Sequence, residues 1–215
     1  MKNCIFYMLI TVFYSCKALK SHTDVTKTHF VFEHCLLVSA EGEKSINELV
    51  KNNNAARMFI EQIKNTPKTK IFVDVQRDTI WRYTTENEKV IGDIFSLSKS
   101  NGNLNYHPQK QISLIYRTFR LFPSNDEYIV EKEITNKKQI LGFDCYYVKI
   151  TKLDNAASDT GNTIYEMYVT DKINLPVHAL INITKNFDEF FPLEIKIWEE
   201  HLRGTIEVYQ VSEIR

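Results

Sequence analysis

Glu199, Glu200 and His201 are the residues whose types and spacing come nearest to a catalytic group. A carboxylate beside an imidazole could act as a general acid or a general base. These residues end a predicted strand, however, and Arg203 and Gly204 follow them, which is the pattern of a solvated hairpin turn. The position therefore favours a turn, and we assign no catalytic role to it.

Motifs that would predict catalysis or a metal site are missing from the sequence. His34 and Cys35 are neighbours in a predicted strand, where adjacent side chains point to opposite faces and cannot share a metal ion. The signatures of serine hydrolases, zinc peptidases, P-loop proteins and dinucleotide-binding proteins do not occur. We therefore predict a protein that is not an enzyme, with no metal site and no cofactor.

Aromatic side chains are the candidates for ligand binding, because the chain has 11 Tyr, 13 Phe and 2 Trp. Aromatic residues that alternate along a strand fill a core, or line a cavity for an apolar ligand. Both roles stay open for each residue taken singly. The candidates for lining a cavity are Trp81, Tyr83, Tyr147, Tyr168 and Trp198.

The N-terminal 20 residues have the layout of a secretory signal peptide. Lys2 precedes an apolar stretch over residues 5–14, which is shorter than the roughly 20 residues that cross a bilayer. Cys16 follows Ser15 at the end of this stretch and resembles the lipidated cysteine of bacterial lipoproteins. We expect either lipid attachment at Cys16 or an ordinary cut nearby, and an exported protein that is periplasmic or anchored to the outer membrane of a Gram-negative bacterium.

Composition and charge exclude several classes of protein. The 215 residues include 27 basic and 27 acidic side chains, so the formal net charge is zero and a nucleic-acid-binding domain is not expected. Hydrophobic residues at 43% and charged residues at 25% are typical of a folded domain. We predict a signal peptide over residues 1–20, a polar tether over 21–28 and a single β-rich domain over 29–215.

A helical segment follows the first predicted strand, Phe30–Val38. Ser45 and Glu48 form a capping-box pattern that predicts its start, a run of asparagines at 52–54 could divide it in two, and Pro67 ends it. After Pro67 the apolar residues alternate with polar ones, which predicts strands. About ten strands are predicted, one of them over residues 175–184, and the segment 98–111 is predicted to be a long turn.

The order of these elements predicts the fold. Strands do not alternate with helices, so a parallel sheet is not expected. We predict a mainly β (α+β) protein: a large curved antiparallel sheet, or an open barrel, with one helical segment packed on it. Cys35 and Cys145 could form a disulfide only if strands far apart in the sequence meet, and we expect Cys145 to be a buried free thiol instead.

The C-terminal half resembles secreted bacterial proteins of the GLPGLI type and related envelope proteins of unknown function. The likeness covers about residues 135–200 and rests on the strand entry at 140–148, the strand at 164–171 and the step at 191–195. The GLPGLI hexapeptide itself is absent, and Tyr147 stands where a lysine is common. The resemblance implies the fold of periplasmic lipoprotein carriers, an open barrel closed by helices over an apolar cavity, and no enzyme activity.

Two functions are compatible with these expectations. The first is a non-enzymatic cell-envelope protein that binds a lipid or an apolar small molecule in a curved β-sheet cavity. The second is a structural or interaction module with a filled core and another envelope protein as its partner. Contact with a membrane is expected only through a lipid anchor. A cavity, if the sheet forms one, would separate the two functions.

Overall fold

The structure is a computed structural model of the 215-residue chain. It describes residues 27–98, 103–107, 119–120, 127–154, 158–175, 178–181 and 190–215. The predicted leader and Cys16 lie outside the described residues. The first strand begins at Lys27, three residues before the predicted start.

Eleven strands and two helices make up this part of the chain. In order they are β1 (Lys27–Val38), α1 (Ala40–Leu49), α2 (Asn53–Asn65), β2 (Thr69–Gln76), β3 (Thr79–Glu86), β4 (Lys89–Ser98), β5 (Asn103–His107), β6 (Phe119–Arg120), β7 (Tyr128–Ile140), β8 (Phe143–Lys152), β9 (Thr163–Thr170), β10 (Phe191–Glu199) and β11 (Thr205–Ile214). The predicted fold class, mainly β with an antiparallel sheet and a helical segment, is confirmed.

The strands form one open sheet in the order β6-β5-β4-β3-β2-β1-β11-β10-β9-β8-β7. Every neighbouring pair is antiparallel. Only the pairing of β1 with β11 joins strands that are distant in the sequence. Two meanders, β1 to β6 and β7 to β11, therefore meet at the centre of the sheet.

The helical segment begins earlier than predicted and is divided. Ser39 caps α1, because its Oγ accepts a hydrogen bond from the Gly42 N–H at 3.2 Å. Ser45 lies inside α1 and donates to the Glu41 carbonyl, so the predicted start at Ser45 is wrong. Asn52 caps α2, as expected if the asparagines divide the segment.

One face of the sheet carries the helices, and we call it the helix face. It is defined by the even-numbered residues of β1: Phe30 and Phe32 are buried in the main core, while Leu36 and Val38 pack against α1 and α2. Residues paired with these across the sheet share the face. The opposite face, which carries the odd-numbered residues of β1 such as Glu33, is called the groove face.

The described residues of the connection between β9 and β10 pack onto the helix face. His178 is 1% exposed and its ring lies 5.6 Å from that of Phe32, centroid to centroid. Ile181 is buried in the cluster that includes Met167. The described residues between 175 and 184 form no strand, so the prediction of a strand there is wrong. Leu175, Leu180 and Ile181 pack in the core from above the sheet instead of pairing within it.

The predicted long turn over 98–111 contains β5, which pairs with β4. The segment is polar, and its pairing comes from the ladder with β4, which the amino-acid types do not reveal. Cys35 and Cys145 are both free, and Cys145 is buried, as predicted. Three strands, β11, β10 and β9, separate the strands that carry the two cysteines.

Candidate functional site

All five aromatic candidates lie on the groove face. Trp81 and Tyr83 of β3 pair with Asp74 and Phe72 of β2, whose neighbours in β1 are odd-numbered residues. A row of paired residues crosses the other half of the sheet, from Tyr147 of β8 through Tyr168 of β9 and Glu194 of β10 to β11 and the odd-numbered residues of β1. Trp198 follows Glu194 on β10 by an even number of residues, so it lies on the same face. Their role in lining a cavity stays a prediction.

A groove of about 860 Å³ lies on this face at the β2–β4 end of the sheet. It includes Tyr83 from the predicted set. Its lining comes from β2 and the residue before it, from β3 and β4, and from the turn between β3 and β4. The lining residues are Lys68, Lys70, Phe72, Tyr83, Thr85, Asn87, Glu88 and Val90.

The floor of the groove is an aromatic pair. Phe72 and Tyr83 face each other across β2 and β3, with ring centroids 5.0 Å apart and planes 3° apart. The His29 ring, which forms a close hydrogen bond with Asp74 through Nδ1, lies 5.7 Å from Phe72 and supports it from β1. Burial, followed by the negative charge of Asp74, raises the pKa of Tyr83, so this phenol is neutral near pH 7.

A break in the β3–β4 ladder leaves room beside Tyr83. Arg82 pairs with Phe95, but Thr84 pairs with Ile91, so Tyr83 has no direct partner on β4. Gly92 lies in the bulged part of β4 with φ of +65°, and apart from its two chain neighbours no described residue has an atom within 4 Å of where its Cβ would be. The lack of a side chain at Gly92 therefore leaves open space at the break in the ladder, opposite Tyr83.

The rim of the groove is polar. Lys68, Lys70, Asn87 and Glu88 line it, and within the described residues none of their side chains forms a hydrogen bond or an ion pair. Asn87 and Glu88 have φ of 48° and 64°, the left-handed conformation of a tight hairpin turn that holds both residues in place. These side chains are free to bind a ligand.

Tyr147 and Tyr168 form a second aromatic group on the groove face, and both contact neighbouring side chains. The rings of Tyr147 and Tyr168 meet edge to face at 5.8 Å. Lys138 lies over the Tyr168 ring at 5.1 Å and forms a close ion pair with Glu194. Burial, followed by Glu166, to which its hydroxyl donates, raises the pKa of Tyr147 well above its usual value. The structure thus separates these residues from the groove and binds them to charged partners.

A polar cluster on the helix face was missed by the sequence analysis. The Nδ1 atom of His34 lies 3.1 Å from Thr69 Oγ1, and its Nε2 atom lies 3.0 Å from Glu207 Oε1. Tyr209 donates to the same carboxylate at 2.5 Å and stacks on the imidazole with centroids 4.7 Å apart. Burial acts to raise the pKa of Glu207, but the hydrogen bonds from His34 and Tyr209 outweigh it and the pKa is lowered.

These contacts assign the polar cluster a structural role, because they join β1, β2 and β11 through side chains that hold one another in place. The sequence signal for it was weak. His34 and Glu207 are 173 residues apart, and only the pairing of β1 with β11 brings them together.

Neither a metal centre nor a membrane-spanning helix is found in the described part of the chain. No group of three or more His, Cys, Asp and Glu side chains could hold a metal ion there. No helix among these residues is both long and apolar enough to cross a bilayer.

No protein-family model and no curated protein matches this chain. Among solved structures it is similar to a LolA superfamily protein from Nitrosomonas europaea, with a TM-score of 0.37, 9% identity and coverage of 90% of this chain and 87% of that chain. A domain from Vibrio parahaemolyticus, described as an outer membrane lipoprotein-sorting protein, gives a TM-score of 0.34 at 8% identity, with coverage of 90% and 86%.

A DUF1329 family protein from Desulfovibrio piger gives a TM-score of 0.26 at 7% identity, with coverage of 88% of this chain and 85% of that chain. The likeness to GLPGLI-type proteins stays a resemblance of sequence.

Proposed function

We propose that this chain is a non-enzymatic ligand-binding protein of the cell envelope and that its ligand binds in the groove between β2 and β4. One observation carries the proposal: an aromatic floor of Phe72 and Tyr83 lies open beneath four polar side chains that have no partner among the described residues. Binding sites combine an apolar surface with a few polar groups that orient the ligand in this way. The volume of about 860 Å³ is within the usual range for small-molecule sites.

The groove is a better candidate than the part of the helix face that the structure describes. Phe30, Phe32 and Leu193 are almost completely buried there, and His178 and Ile181 pack over this face from the β9–β10 connection. A ligand at these positions would have to displace side chains that already fill the core. A ligand in the groove displaces only solvent.

The envelope location rests on the leader. We propose that residues 1–15 are removed on export and that Cys16 carries the lipid, since the polar residues that follow could serve as a tether up to β1. Intact-mass measurement on protein from the native host should show the loss of residues 1–15 and added acyl chains. Cys16→Ala removes the attachment site for the acyl chains that would anchor the protein stably, so the variant should appear in the soluble fraction. A wild-type protein that is already soluble and carries no fatty acid would rule out the anchor.

Native mass spectrometry of protein purified from its host tests the groove. The wild type should carry a ligand mass, and Val90→Arg, which places a long charged side chain in the groove, should not. Ile129→Arg is the matched control, because Ile129 is 52% exposed on β7, at the far edge of the sheet. Loss of the ligand in both variants, or in neither, would contradict the assignment.

A further inference from the structure

The chemistry of the groove lining restricts the ligand. Of eight lining residues, Phe72, Tyr83 and Val90 offer apolar surface. The other five are polar or charged: Lys68, Lys70, Thr85, Asn87 and Glu88. The lysines only donate hydrogen bonds, the carboxylate accepts them, and the amide and the hydroxyl do both. The lining can therefore satisfy a ligand that carries several donors and acceptors around an apolar face.

The shape of the groove favours a ring. Phe72 covers one side of the Tyr83 ring. On the β4 side the ladder is broken opposite Tyr83, at a stretch that includes Gly92, where a Cβ would meet open space. A flat ring of five or six atoms could stack there against the phenol. Thr85 lies two residues from Tyr83 on the same face, and Asn87 begins the turn, so polar groups surround the place where the ring would lie.

Other ligand classes fit this lining less well. An acyl chain would remove ammonium, carboxylate and amide groups from water and give them no hydrogen bonds in return, which costs free energy. An aromatic anion would pair with Lys68 or Lys70 but would be repelled by Glu88. The two lysines and the single glutamate leave a net charge of +1 in the lining, which is compatible with a neutral ligand or with one that carries a single acidic group.

We propose that the groove binds a saccharide, with the C–H face of one sugar ring stacked on Tyr83 and its hydroxyls bonded to Lys70, Thr85, Asn87 and Glu88. This inference rests on the proposed function, because it names the ligand class of the same site. A pyranose ring has an apolar C–H face and a perimeter of hydroxyls that both donate and accept. That distribution is complementary to an aromatic floor with a polar rim.

Saturation-transfer-difference NMR and calorimetric titration with the full chain test the proposal. The probes are pentasaccharides of α1,4-glucose, β1,4-glucose, N-acetylglucosamine and galacturonate, with dodecanoate as the apolar comparison. At least one saccharide should bind with a Kd below about 10 mM, the range in which a stacked ring and a few hydrogen bonds give measurable affinity. Tyr83→Ala should weaken its binding at least tenfold, and Tyr83→Phe, which keeps the ring, should restore it.

Ile129→Ala is the control, since Ile129 is exposed on β7, at the far edge of the sheet and outside the groove. It should leave saccharide binding unchanged. If dodecanoate binds in a Tyr83-dependent manner and no saccharide does, the saccharide inference fails and the proposed groove function stands. If none of the probes binds and the host-purified protein carries no ligand, both fail. Saccharide binding that Tyr83→Ala does not weaken would also overturn the inference.

Discussion

The buried His178 should make the stability of this protein depend on pH. Its Nδ1 atom accepts a hydrogen bond from the Leu180 N–H at 3.2 Å, so the ring proton lies on Nε2, 3.3 Å from the Pro192 carbonyl oxygen. The neutral ring thus uses both nitrogens, and a second proton on Nδ1 would face an N–H group. Burial first, and then the charge of Arg82, lowers the pKa of His178 to about 3 in spite of the hydrogen bond to Pro192.

The sign and size of the effect follow from proton linkage. The unfolded chain takes up a proton on this histidine below its ordinary pKa of 6.5, whereas the folded chain does not until about pH 3. The unfolded state therefore binds more protons in this interval, and the free energy of unfolding falls as the pH falls. Well inside this interval, each unit by which the pH falls lowers the free energy of unfolding by up to about 1.4 kcal/mol. Between pH 7.5 and 4.5 His178 should contribute a loss of about 2.5 kcal/mol.

Urea unfolding of the wild type and of His178→Gln, followed by tryptophan fluorescence at both pH values, measures this contribution. The variant loses packing and is expected to be less stable at pH 7.5, but its stability should fall by about 2.5 kcal/mol less on acidification. Ile129→Ala, a change at an exposed residue that does not titrate, should keep the wild-type pH dependence. Equal losses in the wild type and in His178→Gln would refute the reasoning.

Three further predictions concern the core and the cysteines. Gly42→Ala should cost about 1–3 kcal/mol in urea unfolding, because the new Cβ would lie 2.6 Å from the backbone of the β10–β11 turn; unchanged stability would contradict this close approach. Arg82→Met removes the 2.8 Å hydrogen bond to the Ala179 carbonyl, so hydrogen exchange should accelerate around residue 179 and remain unchanged in α2. Burial raises the pKa of the Cys145 thiol to about 11, so at pH 8 an alkylating reagent should label Cys145 more slowly than Cys35, and equal rates would show an accessible thiol.

The sequence predicted the elements whose patterns are local. Alternation after Pro67 identified β2, β3 and β4, and the asparagines at 52–54 marked the division between the helices. The start of α1 was misplaced because Ser39 and Ser45 both precede helical residues. Ser39 N–H also donates to the Gly204 carbonyl at 2.8 Å, a contact that depends on the distant β10–β11 turn. Local pattern alone could not choose between the two serines.

The candidate site was only partly predictable, because most of it depends on register. Alternation correctly placed Trp81 and Tyr83 on one face, but it could not show that Tyr83 stacks on Phe72 or lacks a partner on β4. The open space at Gly92 also depends on the bulge in β4, which alternation does not reveal. The strand predicted over 175–184 failed for a related reason, since buried apolar residues have similar patterns inside a sheet and above it.

A crystal structure of protein purified from its native host, shown by native mass spectrometry to retain its ligand, tests the central claim most directly. We expect additional density in the groove, in contact with the Tyr83 ring on its β4 side and within hydrogen-bond distance of Lys70 or Asn87. Ligand density on the helix face with the groove empty would contradict the account.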